Sequence, residues 1–355
     1  MHVPDGFIDA PVSIAAGVAA AGAVAVSLRG ARRELDERAA PLAGLVAAFI
    51  FAVQMLNFPV AAGTSGHLLG GALAAILVGP YTGVLCVSVV LLMQGVLFAD
   101  GGLTALGVNV MNMAVVTVVV AYAVFRGLLK LLPDTRRSVT VAAFAGALLS
   151  VPGAAAMFTL LYALGGTTDV PLGKVFTAMV GVHVLIGIGE AVITAATVGA
   201  VLAVRPDLVH GARGLAAPLK LRVGGELVDA PAAAPAAVPA PARSTKPVWI
   251  TGLVTALVLA GFVSFYASTS PDGLEKVAAD KGIDQKVKEH AGADSPLADY
   301  SVKDVGDARL SGGLAGVIGV GATVAVGTGI FWTVRRRRAE DLTATSTGST
   351  ASSAV

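Results

Sequence analysis

The chain has 355 residues, 55% of them hydrophobic and 14% charged, with a net charge of +2 and a mean hydropathy of +0.79. A soluble domain carries roughly 25% charged residues, so the composition excludes an ordinary soluble domain, and so small a net charge gives nucleic acid no footing. The single cysteine, Cys86, excludes an intrachain disulfide framework and any cysteine-built metal site.

The fold class these numbers predict is all-α, a polytopic membrane helical bundle of about seven core helices plus two further transmembrane helices. Gly (43 residues) and Ala are abundant and aromatics scarce at 5%, as suits helices that approach closely in lipid. Met1–Pro11 is a short irregular segment containing Pro4 and Gly6, and Pro11 is placed to start the first helix. No Lys/Arg-rich leader precedes the first apolar run, so no cleaved signal is expected.

Apolar runs follow at Val12–Leu28, Pro41–Phe58, Leu68–Val78, Val84–Phe98, Leu103–Phe125, Ser138–Leu164 and Val175–Val204. Pro152 should kink the sixth. These runs and their loops make residues 1–210 one transmembrane unit. Residues 211–246 are rich in Pro and Ala and read as a semi-rigid cytoplasmic linker. Residues 247–335 hold two more spans, Val248–Tyr266 and Leu310–Val334, around a polar segment, Ser268–Arg309. The Thr/Ser-rich tail, 336–355, is expected to be disordered.

Basic loops prefer the cytoplasm. Arg29–Arg38, Arg126–Arg137, Arg205–Arg213 and Arg335–Arg338 all fall on one side if seven spans precede the linker and two follow it. This puts the N-terminus outside and the C-terminus in the cytoplasm. It also gathers MHVPDGF, the turn from Asn57 to His67, the loop Ala99–Gly102 and the segment Ser268–Arg309 at the outer face.

That gathering carries the candidate chemistry. If Met1 is the chain terminus, its amine, the His2 amide and the His2 ring Nδ1 close fused chelate rings in one plane, a donor set suited to Ni²⁺ or Cu²⁺, with Co²⁺ also admissible. His67, in a Gly-rich turn at the same face, can fill the remaining in-plane position with neutral imidazole. The candidate metal ligands are therefore Met1, His2 and His67. Asn57, Thr64 and Ser65 stand beside them as supporting polar residues, with turn chemistry as their other reading. Met-His starts also occur by chance, and the alternative for His2 is a solvated terminal residue.

Other polar residues carry less. His183 and Glu190 lie about two helical turns apart and read either as a functional intramembrane pair or as a structural contact. Asn109 and Asn112 could face the site. Gln94 and Met93 read as helix packing, and Cys86 as a small buried hydrophobe. His210 falls in a cytoplasmic loop. His290 is an outer residue, solvated or a transient relay for metal. Arg335–Arg338 reads as a topology anchor. There is no P-loop, HExxH or GxSxG, so neither ATP hydrolysis nor another enzyme activity is expected of this chain.

Three stretches, MHVPDGFIDAP, NFPVAAGTSGHLLGGALAAILVGPYTG and HVLIGIGEAVITA, resemble the cobalt/nickel substrate-binding subunits (S-components of the M type) of energy-coupling-factor ABC transporters, over roughly residues 1–205. SPDGLEK resembles the PDGLE signature of the companion (N-type) subunit, so the chain looks like a fusion of the two. The resemblance implies metal held by Met1, His2 and His67, with Co²⁺ or Ni²⁺ as transported substrate and no organic cofactor. It implies partners as well: a membrane coupling (T/Q-type) subunit and cytoplasmic ATPase subunits, in a cell membrane complex for cobalt transport or nickel transport. Cobalt, feeding cobalamin biosynthesis, is the first reading and nickel the second. A secondary metal carrier and a non-transport structural membrane protein are the competing classes.

Overall fold

The computed structural model describes the backbone of residues 1–35, 39–61, 63–215, 220–223, 226–229 and 244–351, and side chains over 1–35, 40–61, 63–213 and 244–336. Seven helices among them are long and apolar enough to cross a membrane, and the fold is the expected all-α bundle.

Helix α1, Ala10–Glu34, starts where Pro11 allows. The Asp9 side chain accepts from Val12 N at 2.9 Å and caps the first turn. The helix runs beyond Leu28 and takes in most of the charged stretch expected to be a loop. Arg32 and Arg33 in its last turn complement the helix dipole. Buried Glu34 reaches across to the N-terminus of α4, Pro80–Leu97, accepting from Tyr81 N (3.2 Å), Thr82 N (2.7 Å) and the Thr82 hydroxyl (2.8 Å).

Helix α2 covers Ala39–Gln54. A small antiparallel hairpin follows, β1 Phe58–Ala61 and β2 Thr64–Gly66, with Phe58 opposite Gly66. The expected helical span over Leu68–Val78 is corrected here. Helix α3, Gly71–Val78, has eight residues, about 12 Å of rise against the ~30 Å of a hydrocarbon core. The chain approaches this helix as non-helical backbone from His67 to Gly70. Such backbone is tolerated at membrane depth only where protein satisfies its polar groups, and here protein does so. Leu69 N and Gly70 N donate to the two carboxylate oxygens of Glu190 at 2.7 and 3.0 Å, and Leu69 O accepts from Gln54 Nε2 at 2.9 Å.

Helix α5, Leu106–Asn109, passes into a π-helical stretch, Val110–Val116, and then α6, Thr117–Leu129. Helix α7, Arg136–Gly165, runs through Pro152 as one element, and α8 covers Leu172–Val204. Small residues set the spacing. A Cβ on Gly107 would collide with the backbone of Gly17, and one on Gly146 would lie 2.7 Å from Ala121 O. Cys86 is buried, as expected, with its thiol donating to Ala43 O.

Most of the Pro/Ala-rich linker lies outside the described residues. Within it, Lys220–Val223 (β3) and Glu226–Asp229 (β4) pair antiparallel. The second part supplies α9, Lys246–Gly261, a short helix α10, Gly273–Lys281, and α11, Ala308–Ala351. Helix α11 packs against α2 and α9. It extends to Ala351, into residues expected to be a disordered tail. Arg337 and Arg338 of the basic run have side chains outside the described residues.

The basic groups collect at one end of the bundle: the C-termini of α1, α6 and α8, the N-terminus of α7 and, within α11, Arg335 and Arg336. The hairpin β1–β2, the loop 99–102 and the polar segment 268–309 lie at the other end, where Met1 sits.

Candidate metal site

MHVPDGF enters the bundle and is held at almost every residue. Val3 is fully buried and clamped by one side chain, with Val3 N donating to Asn109 Oδ1 at 2.7 Å and Asn109 Nδ2 donating to Val3 O at 3.1 Å. Asp5 accepts from Thr104 N at 2.8 Å and from the Thr104 hydroxyl. Gly6 has φ +93°, with its Cα against the carbonyl of Lys286, so a side chain there is excluded both conformationally and sterically. Thr167 ties down the Gly6 and Phe7 carbonyls, and Asp9 N donates to Gly165 O.

This threading brings the chain's first nitrogen to His67. Met1 N lies 2.8 Å from His67 Nε2 across 66 positions of sequence. The other ring nitrogen, Nδ1, is 3.0 Å from Leu68 O. That bond assigns the proton to Nδ1 and leaves the Nε2 lone pair facing the Met1 nitrogen, the arrangement in which metal-binding histidines are usually held. The His2 and His67 rings are stacked, centroids 5.2 Å apart at 19°. His2 Nδ1 lies 3.2 Å from Asp100 Oδ1 and its Nε2 lies 3.0 Å from Gln94 Oε1. Burial lowers the His2 pKa to about 4, against the pull of Asp100 and with the Met1 ammonium and His67 adding to the fall. The ring is therefore a neutral nitrogen donor at ordinary pH.

The three residues expected to act together are thus assembled. Among the described residues no group of three His, Cys, Asp or Glu side chains converges as a metal site. The expected supporting residues play other parts. Asn57 lines the adjoining cavity, and its carbonyl accepts from Ser268 N at 2.7 Å. Thr64 is buried in β2. Ser65 holds the companion segment: its hydroxyl donates to Ser270 O (2.7 Å), and its backbone N–H donates to Pro271 O (2.9 Å).

That grip delivers the residue sequence reasoning missed. Asp272, the Asp of PDGLE, places Oδ2 2.6 Å from Met1 N and 3.6 Å from His67 Nε2. Its other oxygen accepts from Leu274 N and Glu275 N and caps α10, while Glu275 returns a bond to Asp272 N. Burial works to raise the Asp272 pKa, but the adjacent ammonium holds the carboxyl well below the usual range. The companion segment also braces Asp100, which accepts from the Tyr300 hydroxyl at 2.6 Å. A cavity of about 710 Å³ opens between the two parts of the chain, lined by His2, Gln54, His67, Asp100, Asp272 and Glu275 among others.

Gln94, read from sequence as helix packing, is a partner of His2, and Asn109 is the clamp on Val3. Buried Asn112 makes no hydrogen bond through its side chain. His183 and Glu190 do not pair. His183 Nδ1 bonds Met179 O at 2.7 Å, and the Glu190 carboxylate goes to the backbone before α3. His290 accepts from Gly292 N in the companion segment, and His210 stands by the Tyr122 ring at the basic end.

The family model for the cobalt uptake substrate-specific transmembrane region (CbiM) matches residues 2–208, and that for the PDGLE domain matches residues 246–336. The fused nickel transport protein NikMN of Rhodobacter capsulatus is 37% identical over 231 residues, covering 61% of this chain and 66% of the relative. The cobalt transport protein CbiM of Sorangium cellulosum is 34% identical over 192 residues, 53% of this chain and 84% of that protein. The crystal structure of a truncated transition metal transporter aligns with TM-score 0.50 and 29% identity, over 57% of this chain and 99% of that one. With over half of its length matched, this chain belongs to the CbiM family of cobalt uptake substrate-specific transmembrane regions, fused to a PDGLE companion domain, and is a multi-pass membrane protein of metal transport.

Proposed function

We propose that this chain is the substrate-binding component of an ATP-driven uptake system for Co²⁺ or Ni²⁺, and that it captures the ion with the Met1 amine, the His2 amide and ring, and His67. The observation that carries the reading is the 2.8 Å approach of Met1 N to His67 Nε2. Closing the chelate requires the His2 Nδ1 to exchange Asp100 for the ion. The basic end of the bundle supports a cytoplasmic placement for that end and an extracytoplasmic one for the site. ATP hydrolysis is assigned to separate ATPase partners acting through a membrane coupling subunit. Residues 1–210 form the capture unit, 211–246 the linker and 247–335 the companion.

Cobalt is the substrate this reading puts first. Nickel is the second reading, favoured by four nitrogens in a plane. The test is a titration of Co²⁺ and Ni²⁺ into protein whose chain begins with a free Met1 amine. His2→Ala and His67→Ala should each abolish tight binding while the protein stays folded. Unchanged affinity in both variants sinks the proposal.

A further inference from the structure

We infer that Glu190 is a positioning residue for His67, and so for the metal site proposed above, on which this inference rests. Glu190 lies in the middle of α8 and is fully buried. An ionisable side chain at that depth is costly, and among the described residues neither His183 nor a basic group is bonded to it. Its carboxylate instead accepts from two consecutive backbone amides, Leu69 N at 2.7 Å through Oε2 and Gly70 N at 3.0 Å through Oε1.

Those amides belong to the non-helical backbone between His67 and α3. Gly70, which precedes α3, has φ +84° and no side-chain cap of its own. Gln54 holds the same stretch from the other side through Leu69 O. Leu68 O, between these fixed points and His67, accepts from His67 Nδ1. The orientation of the imidazole is therefore set by a carbonyl whose place is set by Glu190 and Gln54. Packing acts along the same face of α8. A Cβ on Gly66 would lie 2.5 Å from the side chain of Ile186, and one on Gly189 would lie 2.5 Å from the Phe58 ring, so the hairpin is pressed onto α8 in the turn that precedes Glu190.

Two adjacent N–H groups facing one side chain call for two acceptor atoms. A glutamine has one acceptor oxygen and would turn its NH₂ donors toward the second amide. Glu190→Gln is nearly isosteric, so it alters this bidentate bond without opening a cavity. The control is Glu34→Gln, which alters an equally bidentate bond at the opposite end of the bundle.

The experiment uses the full chain with a free Met1 amine and Ni²⁺ alone as the probe, reading affinity and the visible absorption of the bound ion. Glu190→Gln should weaken Ni²⁺ about 10- to 100-fold, the range seen when an outer partner of a metal ligand is lost. It should also shift the absorption, because His67 no longer sits squarely in the plane. Glu34→Gln should change neither. If Glu190→Gln does not accumulate folded, Glu190→Asp carries the same expectation, since it retains two oxygens but falls short of both amides. Unchanged affinity, an unchanged spectrum, or an equal effect of Glu34→Gln would overturn the assignment. Failure of the parent chain to bind Ni²⁺ or Co²⁺ at all would instead overturn the capture reading.

Discussion

The regions at either end of helix α3 are built from the same bond. Where α3 begins, Glu190 accepts from the amides of Leu69 and Gly70; where it ends and α4 begins, Glu34 accepts from those of Tyr81 and Thr82. Both carboxylates are buried and both come from a long neighbouring helix. What differs is the company. Glu34 also holds the Thr82 hydroxyl and stands at the basic end, far from Met1, whereas Glu190 holds backbone two residues from His67. One local chemistry thus fastens a helix at one end and aims a donor at the other.

Breaking the site end should have effects that the basic end does not share. The largest is expected from one residue inserted before Met1. The amine then leaves the chelate, and tight Co²⁺ or Ni²⁺ binding should vanish in a titration, with the helical content unchanged by circular dichroism. Acid comes next. The His2 amide gives up its proton when it becomes a donor, so apparent affinity should fall at least about tenfold per pH unit on acidification. His2, its pKa lowered to about 4, resists protonation until near that pH, so it should not steepen the slope above it. Competition titrations at three pH values would read this directly, and an affinity independent of pH would remove the amide from the donor set.

Asn109→Ala should act more mildly. It frees Val3 from its clamp without touching a donor atom, and an outer-partner loss of roughly tenfold is expected. An unchanged affinity would mean that Asp5 and Thr167 hold the segment unaided. The smallest effect on metal belongs to the basic end. Glu34→Ala leaves the amides of Tyr81 and Thr82 unsatisfied, which costs about 1–3 kcal/mol of stability, read as a lower melting temperature in detergent, while metal affinity stays the same.

The approach of Met1 and His2 to His67 was legible in the sequence where it rests on local order. Met1 and His2 are adjacent, and a count of basic loops sufficed to bring His67 to their end of the bundle. Asp272 was legible as part of a motif and not as a neighbour of Met1, because nothing short of packing reveals a contact across 271 positions. Glu190 misled for a different reason. Its spacing from His183 suggested a side-chain pair, but its partners are backbone amides, which every residue except proline carries and which therefore leave no mark on a sequence. The same limit hid the shortness of α3. An unbroken apolar run looks like one helix until the buried acceptors that allow part of it to stay unwound are seen. Gln94 and Asn109 were visible as polar residues near the right loop, but packing alone settles which of them touches His2 and which holds Val3.

The contact between Met1 and Asp272 also has a bearing on biosynthesis. The ribosome makes the first of these residues 271 positions before the second, an interval of roughly 15 to 55 s at ordinary rates of elongation. Through that interval the nascent bundle can bring its amine to His67 but has no carboxylate to set against it. Completion of the contact between Met1 and Asp272 is thus timed by translation of the companion domain.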